Sequence, residues 1–269
     1  MNTQTERVHE SVRIERLETE SVARLVLETN QTSLNVFHPS SVEALATAVE
    51  SLSGEVDALV LHGEPVFSAG ADLGEIERTP QEMRSAKIDT IAAASNRFIR
   101  SVRTFPAPVI AAVTGVAAGG GLGFVLASDL VYMHEDAVLN TGYARVGLTP
   151  DNAAPFFLVK TVGPYKAREL FFDTEPITAS EAVELRLANE CFECPESAFL
   201  EAVTERAIEY AHGPTETYAR TKVLVDSVFE GRLDSHLEEE RAAIKRMSDS
   251  DVFDEGLSAF LESREPDWE

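Results

Sequence analysis

The chain has 269 residues, 44% of them hydrophobic, enough to bury a sizeable core in one large domain or one domain with an appended lobe. Its 46 acidic residues outweigh 23 basic ones for a net charge of −23, which argues against a nucleic-acid partner, because phosphate backbones need a basic face. The N-terminal MNTQTERVHESVRIER is polar where a signal peptide or anchor is apolar, no apolar run approaches the roughly 20 residues of a bilayer span, and two cysteines make no disulfide framework, so a soluble cytoplasmic protein is expected.

VARLVLET (Val22–Thr29), closed by NQTS, reads as a strand and turn. SSVEALATAVESL (Ser40–Leu52) opens on a serine cap and spaces Val42, Leu45, Ala46, Val49 and Leu52 as one helical face. DALVLHG (Asp57–Gly63) is a buried strand. A long helix is predicted over Thr79–Phe105, with Pro80 in its first turn. APVIAAVTG (Ala107–Gly115) is a strand, GLGFVLASD opens a helix, and LVYMHE (Leu130–Glu135) is again a strand. This alternation predicts an α/β core with parallel strands buried on both faces. Beyond Pro195 only helical patterns follow. A core over residues 1–195 and a helical lobe over 196–269 are therefore expected.

The acidic residues are dispersed, and lysine is rare, five against eighteen arginines. A surface of this kind suits high salt, where counter-ions screen self-repulsion.

Glycine is a poor helix former, yet AVTGVAAGGGLGFVLASD (Ala112–Asp129) places Gly119, Gly120, Gly121 and Gly123 where a strand gives way to a helix. N–H groups at a helix start lack partners and favour negative charge, and glycine lets a ligand approach the backbone. The run fails the dinucleotide pattern G-x-G-x-x-G and lacks the G-K-[ST] of a phosphate loop. It is a candidate oxyanion site, or a tight helix–strand crossing that needs small residues. EPVFSAGADLGEIE (Glu64–Glu77) sets a second small-residue turn after a strand.

FSAGADL and GVAAGGGLGFVLASDL together resemble the crotonase family of enoyl-CoA hydratases and isomerases. GLTPDNAAP with the segment to Glu190, and DVFDEGLSAFLESREPDW near the end, resemble later parts of that family in the right order. The resemblance implies an α/β fold, a spiral of ββα units with a C-terminal helical trimerisation lobe. It implies an acyl-CoA thioester substrate, no separate cofactor or metal, and a homotrimer or a hexamer. It places the thioester oxygen between the N–H groups of Ala71 and Gly120. Ala69, Gly70, Asp72, Leu73, Gly119, Gly121, Tyr143, Asn152 and Phe260 would line the substrate. The family's lysines after the first motif and in the tail helix stand here as Gly74 and Ser263.

Hydratases of the family use two glutamates to activate water; the matching positions here are Gly123 and Tyr143. Neither replaces a carboxylate base. Asp151 in GLTPDN remains, at a position where double-bond and ring-opening isomerases of the family, and a dehalogenase, carry aspartate. One carboxylate suffices for a 1,3-proton shift, which needs no water. The expectation is an enoyl-CoA isomerase with Asp151 as proton shuttle. A hydratase with Asp151 as its single carboxylate and a silent acyl-CoA-binding subunit stay open. For Tyr143, core packing is favoured over chemistry. The Cys191–Cys194 pair has no second pair to complete a zinc site, and the histidines form no metal-binding spacing.

Overall fold

The computed structural model describes residues 2–29, 33–228, 264 and 267. Its strands and helices, in chain order, are β1 (Thr3–His9), β2 (Val12–Leu17), β3 (Val22–Glu28), α1 (Pro39–Leu52), β4 (Ala58–Glu64), α2 (Leu73–Arg78), α3 (Gln81–Thr104), β5 (Val109–Val113), β6 (Val116–Ala118), α4 (Gly120–Ala127), β7 (Leu130–His134), β8 (Val138–Asn140), α5 (Ala154–Asp173), β9 (Ile177–Thr178), α6 (Ala179–Glu184), β10 (Glu190–Phe192), α7 (Glu196–Ala211) and α8 (Thr215–Ser227). A short 3-10 turn spans Tyr143–Val146.

The large sheet runs β1-β2-β3-β4-β5-β7-β10 and is parallel from β3 onward. Alternate residues face opposite sides of a strand. The row Ile14–Leu25–Leu61–Ala111–Val131 therefore faces one side, where Leu45 and Val49 of α1 and Phe98 and Val102 of α3 cover it. Val60, Ile110 and Tyr132 face the other side and bury Phe199, Val203 and Ala207 of α7. Both faces are apolar, which is why β4 and β5 read as unbroken hydrophobic runs.

A small sheet, β6-β8-β9, stands beside the large one. Its central row continues Ser68–Ala117–Leu139–Ile177, with Ser68 joining by an isolated bridge. The chain thus repeats one unit. A strand enters the large sheet, the next stretch adds a rung to the small row, and a helix returns. The unit occurs at β4, Ser68 and α2–α3, at β5, β6 and α4, and at β7, β8 and α5. This is the spiral of ββα turns that the resemblance implies.

The N-terminal hairpin β1–β2 and the small sheet add strands absent from the sequence reading. Two of the four predicted C-terminal helices are present as α7 and α8. The other two, beyond Ser227, lie outside the described residues. Lys222 fastens α8 to the core through Asp129 Oδ2 at 2.8 Å and the Val102 carbonyl at 2.9 Å. No helix among the described residues is long and apolar enough to cross a membrane.

Candidate active site

Each ββα unit ends its small-sheet rung at the same edge. Ala69–Ala71 follow Ser68, Gly119–Gly120 follow Ala118, and Gly142–Tyr143 follow Asn140 and Thr141. Three turns distant in sequence therefore meet at one place, beyond the carboxyl ends of parallel strands, where α/β folds bind ligands.

The Phe37 N–H donates to the Gly70 carbonyl at 2.9 Å, and the Asp72 N–H donates to the Phe37 carbonyl at 3.2 Å. That parallel bridge turns the Ala71 N–H away from Phe37. Gly120 is the first residue of α4, so its N–H lacks a partner inside the helix. Neither N–H donates to a described residue. Gly70 holds φ at +93°, and a Cβ there would lie 3.2 Å from the Gly120 nitrogen, so the two turns touch.

The first turn is stapled from below by Asn35, a fully buried residue at φ +48°. Its Oδ1 accepts from the Thr29 N–H at 3.0 Å. Its Nδ2 donates to the carbonyls of Leu27, Val66 and Phe67, each at 2.9 Å. Ser68 Oγ donates to the Asn35 carbonyl and accepts from the Gly70 N–H. Replacing Asn35 with Ala strands several buried polar groups at once, and a loss of about 3 kcal/mol is expected. A lowered urea midpoint of the purified variant measures it.

The three turns enclose a cleft of about 690 Å³, its solvent mouth included. Phe37, Leu73, Ile76, Ile88, Ile91, Val146 and Leu148 make its walls apolar. Only Asp151, Tyr143 and Asn152 bring polar side chains to it. The Tyr143 hydroxyl donates to Asp151 Oδ1 at 2.9 Å. Burial pushes the Asp151 carboxyl above its ordinary value of 3.8, and the Tyr143 hydrogen bond opposes that rise. Burial, then the Asp151 charge, pushes the Tyr143 phenol well above its ordinary range, so it stays protonated and donates.

The glycines of α4 form a seat for the loop that carries Asp151. A Cβ on Gly123 would lie 2.3 Å from the Asn152 carbonyl oxygen, and one on Gly120 would lie 2.3 Å from Asn152 Nδ2. One on Gly121 would meet the Ser68 carbonyl oxygen at 2.4 Å. Both sequence readings of the run therefore hold in part: the glycines free a helix N-terminus, and they let two backbone segments cross without side chains between them.

Of the residues expected at the substrate, Ala69, Gly70, Ala71, Leu73, Gly119, Gly120, Tyr143, Asp151 and Asn152 line the cleft. Gly121 lies beneath, against Ser68. Asp72 caps α2 by accepting from the Glu75 N–H at 2.9 Å. Phe260 lies outside the described residues. Two features were missed in the sequence. Asn35 is a single asparagine in a loop, with no spacing signal. His38, Asp72 and Glu75 come together with one ligand atom each within 4.8 Å, although they are far apart in sequence. That cluster closes on itself: His38 Nδ1 lies 2.6 Å from Glu75 Oε2, and Lys87 pairs with the other oxygen. A cation there would have to displace Lys87.

The family model for enoyl-CoA hydratase/isomerase matches residues 18–269. The chain belongs to the enoyl-CoA hydratase/isomerase family. Among curated relatives, a "Probable enoyl-CoA hydratase" of Rhodobacter capsulatus is 29% identical, covering 87% of this chain and 89% of that one. A 4-chlorobenzoyl coenzyme A dehalogenase of Arthrobacter is 30% identical over 75% of this chain and 74% of its own length. The crystal structure of an enoyl-CoA hydratase from Polaromonas superposes with a TM-score of 0.85 at 28% identity, covering 95% of this chain and 98% of that one. Family membership agrees with the ββα spiral and with the position of the cleft.

Proposed function

We propose that the protein is an enoyl-CoA isomerase that moves a double bond, or opens a ring, in an acyl-CoA thioester. The observation that carries this reading is a lone carboxylate, Asp151, in an apolar cleft beside two unpartnered backbone N–H groups. Asp151 takes a proton from the carbon next to the thioester of a 3-enoyl substrate. The electron pair moves onto the thioester oxygen, which the Ala71 and Gly120 N–H groups stabilise as a dienolate. The protonated Asp151 then returns the proton to the γ-carbon, giving the 2-enoyl thioester. Atoms and charge balance without water.

Proton NMR with 3-enoyl-CoA in deuterated high-salt buffer tests this. The expected result is the 2-enoyl thioester with deuterium at the α or γ carbon. A bound but unchanged thioester would favour a silent binding subunit. The relatives' hydratase names favour a second reading, hydration with Asp151 as the single carboxylate. It predicts oxygen-18 uptake from labelled water, which isomerisation lacks.

The reaction needs ionised Asp151, so kcat/KM falls as pH drops through the Asp151 pKa, which burial holds above 3.8. Tyr143→Phe removes the hydrogen bond that opposes this rise. The acid limb of the pH profile therefore moves to higher pH in the variant. An unmoved limb would separate the two groups functionally.

The same reading takes residues 1–195 as the catalytic core and the helices after it as an assembly lobe of a homotrimer or hexamer. Exposed Tyr165 and Phe172 on α5 and Val223 and Val225 on α8 support a contact between copies. It takes no separate cofactor, a cytoplasmic location and a high-salt habitat, the last supported by the net charge of −23.

A further inference from the structure

Asn152 directly follows Asp151 and is 4% exposed. Its Oδ1 is buried without a hydrogen-bond partner. Its Nδ2 donates to none of the described residues and rests on Gly120, where the cleft begins. A buried amide with both ends unpaired costs stability, and native proteins keep such groups where a ligand completes them. The backbone agrees: Asn152 and Ala153 both hold positive φ, +51° and +56°, a pair of costly conformations that directs the amide toward α4. Glycine at 120 leaves room for Nδ2 beside a backbone N–H that has no acceptor. Two neighbouring donors, one main-chain and one side-chain, thus lie at the first turn of α4.

We propose that Asn152 is a catalytic residue whose Nδ2 donates a third hydrogen bond to the thioester oxygen, beside the N–H groups of Ala71 and Gly120. This rests on the enolate reading of the cleft. The third donor strengthens as charge grows on the oxygen, so it acts on turnover more than on binding. It also gives the cleft a donor that a side-chain substitution can remove, unlike the two backbone groups.

The test uses the full chain with hexanoyl-CoA carrying carbon-13 at the thioester carbonyl, a saturated probe that cannot isomerise. Infrared spectra read the carbonyl stretch of the bound probe in the wild type, Asn152→Leu and Asn152→Asp. The expected result is a band lowered in the wild type relative to free probe and partly restored in both variants. Turnover of 3-enoyl-CoA should fall about 100-fold in Asn152→Leu, with KM little changed. Asn152→Asp, equal in shape but an acceptor beside the oxygen, should fall further and covers the case in which leucine disturbs folding. A variant band lowered as far as in the wild type overturns the role of Asn152 and leaves the Ala71–Gly120 reading standing. A bound wild-type probe with an unshifted band, or a probe that does not bind, overturns both.

Discussion

Asp151→Asn is expected to lower turnover of a 3-enoyl-CoA by about 10³–10⁴-fold, the scale of a lost general base, while thioester affinity stays unchanged. Asparagine matches aspartate in shape, and its carbonyl still accepts the Tyr143 hydroxyl that now meets Asp151 Oδ1 at 2.9 Å. The loop therefore keeps its place against α4, and only the proton acceptor is lost. Nothing else in the cleft takes over. Asp151 is the only carboxylate among the described residues that line it, and the Tyr143 phenol is held protonated. Single-turnover kinetics together with calorimetric titration of the thioester separate chemistry from binding. Turnover that survives in this variant would remove Asp151 from the mechanism.

The second large effect concerns an acid that the chain lacks. Gly123→Glu restores the glutamate that hydratases of the family carry at this position, and it is expected to disable the protein instead of converting it. The first side-chain carbon would fall 2.3 Å from the Asn152 carbonyl oxygen and 2.7 Å from Asn152 Cβ, before any carboxylate is accommodated. Overpacking at a buried backbone contact costs about 3 kcal/mol, and the relief available is to push out the loop that holds Asp151 and Asn152. Isomerisation should collapse, and oxygen-18 uptake from water should stay at background. Gly123→Ala should show the same trend, because the clash begins at Cβ. A folded Gly123→Glu variant that hydrates 2-enoyl-CoA would refute the packing argument.

The central strands and helices were legible because burial writes itself into sequence. β4 and β5 are buried along nearly their whole length and read as continuous apolar runs. α1 repeats its buried face at Val42, Leu45, Ala46 and Val49. β1 was hidden because it is an exposed edge strand, with charges at Glu6 and Arg7 where an alternation would otherwise show. β6, β8 and β9 have three, three and two residues, too short for any period to register. At the site, the two glycine-bearing turns and Asp151 were visible as motifs. What joins them was not. Tyr143 was read as core packing, and it is buried, but its hydroxyl ends on Asp151. Asn35 depends on four backbone groups that only folding brings together.

The cleft divides its chemistry unequally between main chain and side chain. The Ala71 and Gly120 N–H groups come from backbone that the spiral fixes, so few substitutions delete them without unfolding the protein. Proton transfer hangs on one carboxylate. Random mutation therefore meets the two functions with very different odds. Losing Asp151 takes one base change and leaves a stable thioester cradle behind. Descendants of such a protein are more easily recruited as carriers or sensors of acyl-CoA than rebuilt as hydratases, since the first route needs one loss and the second a re-laid loop.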